Sequence, residues 1–114
     1  MQQQIETLIQ DIKADYIKFA EAANRGPIAK QTGYFAEQVA KFDDLITVKT
    51  GNKYIKIVRE GSVWGFIVNT DKDKKFQYGD ILMAAGFNAP ARNKARGNIF
   101  KGYNIQWTGP NYLR

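Results

Sequence analysis

The chain has 114 residues and a mass of 13.0 kDa, is 44% hydrophobic and 25% charged, and carries a net charge of +6. Those values describe one ordinary globular domain and exclude a disordered chain. Histidine and cysteine are both absent. That rules out a disulfide framework, a Ser-His or Cys-His nucleophile, and the donors on which zinc, iron and copper sites rely. No apolar run approaches the roughly 18 residues of a membrane span. Met1-Gln2-Gln3-Gln4 lacks the basic and apolar stretches of a secretion signal. The expectation is a cytoplasmic protein without membrane association, cofactor or metal.

Ile5, Leu8, Ile9, Ile12, Tyr16, Phe19, Ala20 and Ala23 recur at spacings of three and four, the stripe of an amphipathic helix. Asn24-Arg25-Gly26-Pro27 ends it, with Gly26 suited to a left-handed turn and Pro27 unable to continue. A second helix is predicted over residues 28–42, with Tyr34, Phe35, Val39 and Phe42 on one side and Gly33 as its weak point. Together they form an antiparallel helical hairpin over residues 1–46. Its apolar surface predicts self-association, a common remedy for a small core.

Residues 53–59 alternate and are rich in β-branched side chains, and residues 63–68 follow after Glu60-Gly61-Ser62, which reads as a hairpin. Residues 69–75, including Asp71 and Asp73, read as a solvated polar loop. A third strand is predicted over residues 79–85 and a last one over 103–108. Between them, Asn88 suits a helix cap, Pro90 a first turn and Gly97 the position after the end. That pattern predicts a two-turn helix over residues 89–96. The fold class is therefore α+β: a helical hairpin, then a small antiparallel sheet with a short helix at 89–96, all in one domain.

Charge divides the chain. Residues 1–46 hold 5 basic and 7 acidic side chains, a net −2, and residues 47–114 hold 12 and 4, a net +8. The second half also carries 10 of the 15 aromatics, so it pairs cations for phosphates with rings for bases. On the predicted helix, Arg92 and Arg96 share a face, and two guanidiniums one turn apart can grip a diphosphate. Asn88 and Asn98 supply amides for a ribose or base edge. No phosphate loop or dinucleotide fingerprint is present. Two other readings compete with a small-ligand site: a small basic nucleic-acid-binding module, and an enzyme using Glu60 or Asp80 as a base. Nothing in the sequence brings those two carboxylates together.

Several segments resemble a family of small phage proteins. They are Ser62 to Val68, Gly79-Asp80-Ile81-Leu82, Ala89-Pro90-Ala91-Arg92-Asn93, Ala95-Arg96-Gly97-Asn98 and Trp107-Thr108-Gly109-Pro110. The resemblance is to the first-described type of Thoeris anti-defence protein, and it spans the chain from Ser62 onward. It implies a sponge that binds the cyclic ADP-ribose signal of a bacterial TIR enzyme without cleaving it, and so a protein that is not an enzyme. Cyclic di- or trinucleotides are implied as further ligands. So is assembly into dimers or hexamers through the helices, with ligand pockets at subunit contacts. The family's arginine pair corresponds to Arg92 and Arg96. Its base-contacting ring corresponds first to Phe66, then to Trp64 or Phe87.

Overall fold

The computed structural model describes residues 1–110. Helix α1 (Gln2–Asn24) buries Ile5, Leu8, Ile12, Tyr16 and Ala20, the centre of the predicted stripe. Leu8 and Ile12 are wholly inaccessible, a burial that contributes about 1.5–3 kcal/mol per side chain. Arg25, and not Gly26, takes the left-handed turn at the end of α1, with φ 52°.

The predicted second helix is broken. Residues 28–42 form a 3-10 turn (Ile28–Lys30), then α2 (Tyr34–Ala40), with Phe42 opening α3 (Phe42–Leu45). Two local causes are visible. The Gln31 side-chain amide donates to the carbonyls of Ala20 and Gly26, at 3.2 and 2.8 Å, and ties this turn to the end of α1. Gly33 then adopts φ 92°, ψ −151°, which no helix accommodates. The arm still packs on α1 through Phe35, which lies edge-on to Tyr16 and Phe19.

Four antiparallel strands follow in the order β1 (Ile46–Thr50), β2 (Tyr54–Arg59), β3 (Ser62–Val68) and β4 (Ile81–Leu82). The β2–β3 hairpin turns at Glu60 (φ 49°) and Gly61 (φ 80°), the two left-handed positions of a two-residue turn. Strand β1 was not expected. It is an edge strand with no buried residue, so it carries little of the apolar signal by which strands are recognised.

Both faces of the sheet are covered. Ile55, Ile57, Ile67 and Ile81 join Leu8, Ile12, Tyr16 and Phe42 in the core beneath α1. Phe66, Val68 and Leu82 join Phe76 in a second cluster on the opposite face. Central strand β3 is therefore buried from Trp64 to Val68 without alternation.

Beyond β4 the chain forms paired short strands. These are β5 (Ala84–Gly86) with β6 (Ala89–Pro90), β7 (Gly97–Asn98) with β8 (Gly102–Tyr103), and β9 (Ile105–Gln106) with β10 (Gly109–Pro110). The helix expected over residues 89–96 is absent. The free edge of β4 explains its loss: the Ala91 N–H donates to the Met83 carbonyl and the Arg96 N–H to the Ile81 carbonyl, both at 2.7 Å. The Arg96 amide, which a helix would bond to the Arg92 carbonyl, is captured by an open sheet edge, and the Ala91 amide, which a helix of this span leaves without an internal partner, is bound just beyond it. The last predicted strand is likewise split, at Asn104, and ends in a turn at Trp107-Thr108, where the Trp107 N–H donates to Asp15 on α1 at 2.8 Å. Among the described residues, no helix is long and apolar enough to cross a membrane.

Candidate functional site

The Asp73 carboxylate orders the middle of the loop between β3 and β4. Asp73 Oδ1 accepts from the backbone N–H of Lys75 (2.8 Å) and of Phe76 (3.0 Å), a turn that short carboxylates favour. Phe76, only 6% exposed, anchors the loop into the second core cluster.

Arg92 reaches this loop from the segment after β6. Its Nη1 and Nη2 donate to the two oxygens of Asp73, each at 3.0 Å, and Nη1 also donates to the Tyr54 hydroxyl. The guanidinium lies 4.9 Å from the centre of the Phe76 ring, within cation–π range. The hydrogen bonds from Arg92 and the two backbone amides hold the Asp73 carboxyl well below the usual carboxylate range. The same partner raises Arg92 above its ordinary value. The contacts to Asp73 and Tyr54 occupy three N–H positions of Arg92, while a guanidinium has about five. Donors on Nη2 and Nε remain.

Beside this clamp lies an open basin of about 580 Å³, lined by Asn52, Lys53, Tyr54, Thr70, Lys72, Asp73, Lys74 and Arg92. Volumes of this size hold small organic ligands. Four cations face one carboxylate, and that carboxylate is already bound to Arg92. Among the described residues no carboxylate pairs with Lys53, Lys72 or Lys74. Another hollow, of about 520 Å³ between α1 and the sheet, is lined by Met1, Ile5, Ile9, Val48 and Ile55, with Glu6 as its charged side chain. Its apolar walls do not suit an anion.

The predicted site residues separate. Arg92 lines the basin. Arg96 is 8% exposed, and its backbone is bound to the β4 edge. Without the helix, a spacing of four no longer puts the two guanidiniums on one face. Trp64 and Phe66, at 4% and 2% exposed, are core rings on the central strand; the Trp64 indole donates to the Gln106 carbonyl at 2.8 Å, and Phe66 meets Tyr54 edge-on at 6.0 Å. Phe87 and Asn88 form the exposed turn between β5 and β6, where the Lys56 ammonium sits 4.1 Å over the Phe87 ring and donates to Asn88 Oδ1 at 2.8 Å. They do not line the basin. Asn98 is 6% exposed and donates to Asp80 Oδ1 and the Tyr78 carbonyl. Asp80 is thereby a buried turn residue, and Glu60 stands apart in the β2–β3 turn.

Reading the sequence missed Tyr54, Asp73 and the lysines of the basin. One signal was present: Asp73, two positions before Lys75 and three before an aromatic, fits a side-chain-capped turn with an anchored end. What could not be read was the partner, since Arg92 lies 19 positions away. Comparison with protein-family models, curated proteins and solved structures found no match.

Proposed function

We propose that this protein binds a small phosphate-bearing ligand in the Arg92 basin and holds it without cleaving it. The ligand class we propose is a cyclic nucleotide immune signal of the cyclic ADP-ribose type, with cyclic di- and trinucleotides as further candidates. The protein would then act as a phage anti-defence sponge in the cytoplasm of the infected host cell. The observation that carries this reading is four cations around a basin whose one carboxylate is already engaged. A planar guanidinium and flexible ammonium groups are the usual partners of phosphate oxygens. In place of a second arginine, Lys53, Lys72 and Lys74 meet the second phosphate. Sequestration needs affinity and no chemistry, which agrees with a chain that has no histidine, no cysteine and one serine.

The test is native mass spectrometry of the protein with cyclic ADP-ribose isomers and cyclic di- and trinucleotides. It reports bound mass and copy number together, including whether the chain assembles as a dimer or hexamer. The expected result is a stoichiometric complex from which unaltered ligand is recovered after denaturation. Arg92→Ala should weaken it at least about tenfold, because a hydrogen bond to a charged group contributes about 1.5–3 kcal/mol. Unchanged affinity in that variant, or a shortened product, defeats the proposal. A nucleic-acid-binding module, favoured by the +8 half, would instead bind arbitrary single strands with an affinity that falls steeply with salt.

A further inference from the structure

Two rings outside the core are held together on the surface. Tyr78 is 41% exposed and Phe100 46%, yet they stack with centroids 5.6 Å apart and planes 21° from parallel. The arrangement is built rather than incidental. Buried Asn98 joins the two residues: its Nδ2 donates to the Tyr78 carbonyl at 3.0 Å, and its Oδ1 accepts from the Phe100 N–H at 2.9 Å. Gly79, at φ 88°, leaves the space that Phe100 occupies, since a Cβ there would come within 2.7 Å of the ring. An exposed aromatic pair contributes little to a core. It is a surface suited to a flat partner.

Tyr78 also lines a recess of about 360 Å³ with Asn69, Thr70 and Asp71. Thr70 lines both this recess and the cationic basin, so the two hollows share one wall residue. The recess has acceptors in its lining. Asp71 offers a carboxylate, and Asn69, whose Nδ2 is spent on the Gly51 carbonyl at 2.9 Å, keeps its Oδ1. Such acceptors match the exocyclic N–H groups of a base.

We infer that Tyr78, backed by Phe100, is the platform on which an amino-bearing purine of the bound nucleotide stacks, while its phosphates occupy the basin. This rests on the basin reading above and replaces the buried Phe66 and Trp64 as the base-contacting ring. A purine is the occupant of choice because it combines the flat face, the amino edge and the attached phosphates that these adjoining surfaces offer.

The experiment is isothermal titration with two probes, ADP and pyrophosphate, which share a diphosphate and differ in the nucleoside. Wild type should bind ADP about tenfold more tightly, given about 1–3 kcal/mol per stacked base. Tyr78→Ala should bring ADP down to the pyrophosphate value and leave pyrophosphate unchanged. Tyr78→Trp should keep the preference and guards against a folding artefact, which circular dichroism also reports. If Tyr78→Ala folds and keeps the ADP preference, the platform is refuted and the basin stands. If wild type binds ADP through Tyr78 but shows no affinity for pyrophosphate, the basin fails and the platform survives. If neither probe binds, or if Tyr78→Ala only dissolves a self-association of the protein, the purine assignment is overturned.

Discussion

Replacing Gly79 by alanine tests the geometry on which the surface ring pair depends. At φ 88° the new Cβ would lie 2.7 and 2.8 Å from Phe100 Cδ2 and Cε2, and 3.1 Å from Ile99 Cγ2. Ile99 is buried and cannot give way easily, whereas Phe100 is 46% exposed and can swing outward. The clash is therefore relieved by losing the stack, not by compressing the core. Left-handed backbone costs a non-glycine residue about 1–2 kcal/mol, and an aromatic pair contributes about 0.5–1.5 kcal/mol beyond its buried area. Gly79→Ala should thus destabilise the protein by about 2–3 kcal/mol. Gly61, at φ 80° with nothing within 4 Å of a Cβ, provides the control, because Gly61→Ala incurs the backbone cost alone. Urea unfolding followed by fluorescence, reported from the core by buried Trp64, should place Gly79→Ala about 1 kcal/mol below Gly61→Ala, or roughly 4 °C lower in Tm. Equal losses in the two variants would refute the claim that Phe100 occupies the space above Gly79.

Asn98→Ala removes three hydrogen bonds at a buried position. At about 1 kcal/mol for each bond, it should lower stability by about 3 kcal/mol and speed amide exchange at Phe100, both measurable by NMR and denaturation. Asn98→Asp should be worse at neutral pH, since it sets a second carboxylate beside Asp80 Oδ1, and should recover on acidification. For Asp73 the sign follows from a folded-state pKa held below its unfolded one. Its contribution is fully present above about pH 4 and is lost as pH falls through the depressed folded value. The wild type should therefore be more stable than Asp73→Asn at neutral pH, with the gap closing only on acidification below about pH 4. A gap independent of pH would refute the Arg92–Asp73 clamp.

The elements legible in the sequence are those whose apolar spacing is local. The stripe from Ile5 to Ala20 specifies α1, and the β2–β3 hairpin follows from β-branched residues on either side of Glu60-Gly61. The candidate site was legible only in part. Arg92 and the basic character of the second half are apparent, but the sequence around its partner Asp73 reads as a solvated loop. Trp64 and Phe66 looked like available rings because a central strand covered on both faces has the same sequence as an aromatic surface strand.

Spacing and composition by themselves decide an α+β chain with a basic, aromatic second half and no histidine or cysteine. Tertiary structure alone decides the fate of residues 89–96, where capping residues favour a helix but the open edge of β4 binds the Arg96 amide. It alone also brings together Tyr54, Asp73 and Arg92, and sets Tyr78 against Phe100. The reason is that helical and strand periodicities are properties of neighbours in the chain. A free sheet edge, a carboxylate clamp and a ring stack join residues far apart, whose encounter depends on how the whole chain packs.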